Sequence, residues 1–165
     1  MKKRIKNYIY VFLLISSITF SMDSKYEVNY SDSSSGKLDI NLATKSEMLK
    51  AGVAQSYVYK ILEFRDSVGG VSKFDELDRI NGIGINTCKK LKKYFIINEK
   101  PKYKDLYINK ASDKVLKYYG LNKKQIKILR KYLKENNLIL DNREIKKILT
   151  EKQYDKYKDI INYSK

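Results

Sequence analysis

Leu77-Asp-Arg-Ile-Asn-Gly-Ile-Gly-Ile-Asn-Thr-Cys-Lys-Lys-Leu91 is the stretch that decides the fold. Leu77 and Ile80 stand three apart, the spacing of a buried helical face, and the reading ends that helix at Asn81. Gly82-Ile83-Gly84 turns the chain, and Cys88, Leu91 and Phe95 resume helical spacing. Two glycines around one apolar residue let the backbone turn sharply and approach a ligand with no Cβ in the way. A second helix begins at the turn. Its free N–H groups and the positive end of its dipole make an anion site suited to a phosphate. Such a site reads no base edge, so it holds nucleic acid without regard to sequence. The plainer reading is an ordinary helical hairpin whose glycines only make the turn.

The segment fills every position of apolar-x-x-apolar-x-Gly-apolar-Gly-x-x-x-small-x-x-apolar, with Cys88 in the small slot. It resembles the helix-hairpin-helix motif. A second example lies upstream in LDINLATKSEML and the residues after it. Thr44 and Glu47 make a capping box that starts a helix. Gly52-Val53-Ala54 breaks it, and Val58, Ile61 and Leu62 resume the apolar spacing. Ala54 replaces the second glycine, and the first helix is about one residue short, which predicts a distorted turn. Gly69-Gly70 ends the second helix, and Val71, Phe74, Leu77 and Ile80 lead into the NGIG hairpin. Two helix pairs, neither able to bury its apolar face alone, predict an all-α unit over residues 38–97.

The opening Ile40-Asn41-x-Ala43-Thr44, the GVA hairpin, Arg65, the Gly-Gly pair and the GIG hairpin occur in that order. From Lys37 to about Ile97 this resembles the DNA-binding domain of ComEA-type competence proteins, exported receptors of natural transformation. The resemblance implies double-stranded DNA as partner, possession of neither catalytic residues nor an obligatory cofactor, and membrane DNA-uptake machinery beyond it. It implies contacts at Gly52, Val53, Ala54, Gln55 and Ser56 to one strand. Gly82, Ile83, Gly84, Ile85, Asn86 and Thr87 would hold the other across the minor groove, with Lys89 and Lys90 within reach of phosphates. The family sometimes shows a monovalent cation in the hairpins; the residues here leave one open without predicting it.

The remainder repeats the pattern. At an offset of 68, Leu38 matches Leu106, Ile40-Asn41 matches Ile108-Asn109, Ala43 matches Ala111, Gly52 matches Gly120, Glu76 matches Glu144 and Ile80 matches Ile148. Apolar character follows at Val53 and Leu121, Val58 and Ile126, Ile61 and Leu129, Phe64 and Tyr132, and Leu77 and Ile145. Residues 105–165 therefore read as a degenerate helix-hairpin-helix repeat, with residues 98–104, including Pro101, as a linker. Asn122 with Gln125, and Thr150 with Gln153, are helix-start signals at its two hairpins. The third hairpin keeps Gly120 but has Asn122 where the second small residue belongs. The fourth reads Leu149-Thr150-Glu151-Lys152, with no glycine and with a carboxylate opposing an anion, so no phosphate is expected there.

Net charge is +16 over 165 residues. It suits an acidic polymer or an anionic surface, although abundant Lys, Ile, Asn and Tyr together also mark low-GC coding. From Leu38 to Ile97 there are 10 basic and 7 acidic residues; from Asn98 to Lys165 there are 19 and 9. The excess lies away from the best hairpin, and Lys123, Lys124 and Lys127 can extend a charged track at the third. No histidine and one cysteine leave little for catalysis or metal binding, and Cys88 reads as a small core residue. Lys2, Lys3, Arg4 and Lys6 precede an apolar run from Tyr8 to Phe20. Residues 1–21 thus read as a signal peptide or N-terminal anchor and 22–37 as a Ser-rich linker, which places the body outside the cytoplasm. The rival function is an exported helical scaffold that binds protein and not DNA. A fragment of repair machinery is disfavoured by the export segment and by the lack of a catalytic carboxylate cluster.

Overall fold

The computed structural model describes residues 36–98 and 100–164. The segments expected to be a signal or anchor, and most of the expected Ser-rich linker, lie outside the described residues. The fold is mostly α-helical, with four two-residue strands closing the units.

In the first unit β1 (Leu38–Asp39) leads to α1 (Lys45–Lys50), α2 (Gln55–Val68), a 3-10 helix (Phe74–Arg79), α3 (Ile85–Leu91) and β2 (Phe95–Ile96). Thr44 and Glu47 form the capping box at the start of α1. Gly69, at φ 96°, ends α2 in the left-handed conformation that glycine tolerates best. The α-helix expected before the NGIG turn is instead the 3-10 helix. Its apolar residues explain this: Val71, Phe74, Leu77 and Ile80 recur at intervals of three, which aligns them on one face at three residues per turn. β1 pairs in parallel with β2, Leu38 opposite Phe95, tying the start of the unit to its end.

The second unit repeats the order. β3 (Leu106–Tyr107), α4 (Asp113–Tyr118), α5 (Lys123–Asn136), α6 (Asn142–Ile145), α7 (Glu151–Tyr157) and β4 (Ile161–Asn162) follow in sequence. β3 pairs in parallel with β4. Side-chain hydrogen bonds recur with the elements. Asn41 accepts from the Val71 N–H at 2.7 Å and donates to the Val71 carbonyl at 3.0 Å. Asn109 does the same to Ile139, at 2.8 and 2.9 Å. Glu76 accepts from the Ser72 N–H, and Glu144 from the Leu140 N–H. All four residues of the second set lie 68 positions beyond those of the first.

The offset fails at one place. Gly84 precedes α3 and Thr150 precedes α7, a separation of 66, and β2 and β4 keep that separation. The fourth turn is therefore two residues shorter than the second. Ile80 and Ile83 are bridged by Asn81 and Gly82, whereas their counterparts Ile148 and Leu149 adjoin, both bonding back to the Ile145 carbonyl.

The buried residues of the two units form one continuous core. Phe64 of α2 packs on Tyr118 of α4, ring centroids 5.0 Å apart. This separates Phe64, fully buried, from its match Tyr132, which is half-buried: α2 faces the other unit and the corresponding face of α5 does not. The segment expected to be a linker is part of the packing. The Lys104 N–H donates to the Val68 carbonyl at 3.0 Å, and a Cβ on Gly70 would lie 2.4 Å from Cβ of Pro101.

Candidate nucleic-acid interface

The described residues make four hairpins, and each puts a helix start at its turn. At the first, Gly52 takes φ 88°; at the second, Gly82 takes φ 81°. An L side chain there costs about 1–2 kcal/mol, which is the physical need for glycine at these two places. The following apolar residues, Val53 and Ile83, are 3% and 2% exposed and pin each turn to the core. They can present only their backbone to a ligand.

The second small residue of each hairpin serves differently. Gly84 has φ −99° and ψ 178°, and Ala54 has φ −57° and ψ 135°. Neither needs glycine, and a Cβ on Gly84 would have nothing within 4 Å. Ala54 is therefore no defect in the turn, and the distortion expected of the first hairpin is absent from its glycine, which matches the second within 7° in φ. What Ala54 and Gly84 share is the lack of a capping oxygen. No side chain caps α2 or α3. The N–H groups of Gln55, Ser56, Ile85 and Asn86 belong to first turns whose donors have no intrahelical acceptor. All four residues are exposed, so those donors are open to an acceptor from outside.

Around these turns the structure collects the other expected contacts. Thr87 is half-buried, and Lys89 and Lys90 stand exposed on α3. Ile85 is 67% exposed beside Gly84. Gln55 donates a long 3.4 Å hydrogen bond to the Tyr59 hydroxyl, to which Lys45 also donates at 2.6 Å. These bonds, Lys45 foremost, hold the Tyr59 phenol below its ordinary value. Cys88 is buried, and burial pushes its thiol up, as befits a core residue.

Sequence reasoning missed two cations. A Cβ on Gly82 would lie 2.6 Å from the Nζ of Lys60, so that ammonium rests against the NGIG turn. Lys117, from α4 of the second unit, donates to Asn81 Oδ1 at 2.5 Å. Lys60 sits one turn beyond Ser56 on a helix assigned to the first hairpin, and Lys117 is 36 residues from Asn81. Neither neighbourhood is written in local spacing.

The third and fourth hairpins are arranged otherwise. Gly120 keeps φ 90°, but the guanidinium of Arg79 lies over it, 3.2 Å from where a Cβ would stand. Arg79 donates to the Tyr118 carbonyl at 2.9 Å. Asn122 and Gln125 form a capping box on α5, and Thr150 and Gln153 form one on α7. The two glutamines then bond each other, Gln125 Nε2 to Gln153 Oε1 at 2.7 Å, and Gln153 donates to the Gly120 carbonyl at 2.7 Å. Gly120, Asn122, Thr150 and Gln153 line a cleft of about 610 Å³ between the units. In each of these two hairpins the capping side chain takes one first-turn donor, the N–H of Gln125 or of Gln153, while Lys123, Lys124, Glu151 and Lys152 stand exposed.

The junction carries the chain's buried charge. Glu76 is 3% exposed and accepts from Ser72 N–H at 2.9 Å, Tyr103 hydroxyl at 3.1 Å, and Lys156. Burial pushes its carboxyl up, but Lys156, Ser72 and Arg79 outweigh that and hold it below its ordinary value. Burial likewise lowers the Lys156 ammonium, and its bonds to Glu76 and Tyr103 reverse the sign and leave it raised. Among the described residues, no three or more Cys, Asp and Glu side chains gather to hold a metal ion. No helix among them is long and apolar enough to cross a membrane.

Residues 33–96 match the family described as the helix-hairpin-helix motif. That motif spans both open hairpins and points to nucleic-acid binding. Over 65 residues the chain is 31% identical to the endonuclease/exonuclease/phosphatase family domain-containing protein 1 of Danio rerio. The aligned part is 39% of this chain and 12% of that protein, so the activity in its name lies with a much longer chain. No solved structure matches.

Proposed function

We propose that this protein binds double-stranded DNA without regard to sequence and without catalysis, outside the cytoplasm, as a ComEA-type receptor in DNA uptake. The observation that carries the binding is the pair of matching hairpins in the first unit. Gly52 and Gly82 share one backbone conformation, their apolar neighbours are pinned in the core, and neither following helix has a side-chain cap. Donors left open in this way serve phosphate oxygens and carry no base information. The first hairpin holds one strand and the second holds the other across the minor groove.

Export rests on the basic start followed by the apolar run from Tyr8 to Phe20. The uptake role rests on the order of motifs from Ile40 to Gly84, and hand-over to membrane uptake machinery follows from it. Retardation of a random-sequence duplex by the purified full chain tests the binding. Affinity falls about a hundredfold or more between low and moderate salt if each hairpin contacts a few phosphates. No retardation at low salt, or retardation of one sequence alone, contradicts it. Fractionation of cells carrying the tagged full-length chain tests export, and a transformation assay on a deletion strain tests uptake.

One observation favours a second reading, an exported protein-binding scaffold: the hairpin unit has 10 basic against 7 acidic residues, a small excess for a DNA surface. Salt-sensitive retention on a DNA column separates the two.

A further inference from the structure

The second unit carries more positive charge than the first, and its own hairpins have side-chain caps. Its contribution to the first unit's site is at Asn81. Lys117 reaches out of α4 and donates to the Asn81 side chain at 2.5 Å, at the first residue of the NGIG turn. Lys60 reaches the same turn from α2, with its ammonium against Gly82. Both lysines are half-buried, so their stems lie along the protein while their charged ends reach adjacent residues of the turn, Gly82 and Asn81. Neither makes an ion pair with a carboxylate among the described residues, unlike Lys114 with Glu63 or Lys156 with Glu76. The first hairpin has no such arrangement: what lies nearest Gly52 is the ring edge of Tyr94, at 3.9 Å from a would-be Cβ.

We propose that Lys60 and Lys117 each bind a DNA phosphate at the NGIG turn, so that the site is completed by the second unit. This rests on the reading of that turn as a phosphate contact. The two lysines make the second hairpin the stronger anchor and give the C-terminal half a direct part in binding, beyond its net charge. It also fixes the junction between the units as part of the binding surface, because Lys117 reaches Asn81 only while α4 stays packed against α2.

The test uses the full chain and a random-sequence duplex, with affinity measured across a salt series. Each phosphate contact contributes about 0.9 to the slope of log affinity against log salt. Lys60→Gln and Lys117→Gln are each expected to lower the slope by about 0.9 and to weaken low-salt binding by about threefold or more, and the double variant to lower the slope by about twice as much. Lys117→Arg retains the slope. Lys134→Gln, on the exposed last turn of α5, removes the same charge and leaves the slope unchanged. Thermal midpoints confirm that each variant folds. Unchanged slopes in the Lys60 and Lys117 variants overturn the proposal, as does an equal effect from Lys134→Gln, which would reduce it to net charge. Absence of duplex binding by the unaltered chain would instead overturn the DNA reading itself.

Discussion

At the first two hairpins the helices begin on Ala54 and Gly84, residues with no oxygen to offer; at the last two they begin on Asn122 and Thr150, each in a closed capping box. The backbone underneath is largely the same, with Gly52, Gly82 and Gly120 all near φ 80–90°. One fold unit thus exists in two states of hydrogen-bond completion. Where the first-turn donors are left open, the turn faces solvent. Where a capping side chain takes one of them, the turn borders the cleft between the units, with Arg79 and the glutamine pair lying against it. A helix start without a side-chain cap sacrifices about 1 kcal/mol at an alanine such as Ala54 and only a few tenths at a glycine such as Gly84. That sacrifice is intelligible where a ligand supplies the missing acceptor and is absent where none does.

The largest expected effect comes from forcing the turn glycines. Gly52→Ala with Gly82→Ala strains two left-handed positions and is expected to cost about 2–4 kcal/mol, read by denaturant unfolding, together with much of the DNA affinity. Gly120→Ala is expected to cost about 1–2 kcal/mol and leave DNA affinity as it was. Loss of binding with Gly120→Ala would break the division between open and sealed hairpins.

Next in size is the junction that seals the second pair. Glu76→Gln removes a buried charge from Lys156 and is expected to cost about 2 kcal/mol in unfolding measurements. The pH dependence carries a definite sign. The folded carboxyl lies below its ordinary value, so its contribution is complete above the ordinary Glu range and is lost as pH falls through the depressed folded value. The thermal midpoint of the unaltered chain should therefore fall more steeply on acidification than that of Glu76→Gln. Parallel curves would show that the carboxylate adds no ionised-state stability.

Smaller effects come from the caps themselves. Asn122→Ala and Thr150→Ala are each expected to cost about 1 kcal/mol, with no change in retardation of duplex DNA. Increased DNA affinity in either variant would mean that the cap alone, and not the burial of the turn, keeps DNA away.

Much of this was legible in the sequence because it is local. The Thr44–Glu47, Asn122–Gln125 and Thr150–Gln153 boxes each span three residues, and all three form. Matches such as Leu38 with Leu106 and Ile40 with Ile108 are buried in both units, because the same strand pairing and core positions recur. Gly82 and Gly52 were readable as turns from chemistry that only glycine tolerates. Three things were not legible. The 3-10 helix depended on choosing between three and 3.6 residues per turn over a short apolar series. The two-residue shortening at the fourth hairpin was hidden by the isoleucines at Ile80 and Ile148, which still align at 68. The positions of Lys60, Arg79 and Lys117 come from packing between residues more than 20 apart in sequence, and a lysine-rich chain gives no local sign of which lysines meet a turn. At Ala54 the backbone lies at negative φ, which any residue adopts, so alanine there costs the turn nothing, and this is not visible in the spacing of the glycines.

The central claim is that the first two hairpins are held open for phosphate. The most direct measurement is a pair, duplex affinity and thermal midpoint, on the full chain carrying Ala54→Asp and Gly84→Asp. Aspartate is a good N-cap, both backbones are already extended, and a Cβ at Gly84 meets open space. The account predicts a midpoint equal to or above that of the unaltered chain and an affinity lower by about a hundredfold, because each carboxylate takes the donors and repels the phosphate. A stable variant that binds duplex DNA as well as the unaltered chain would contradict it.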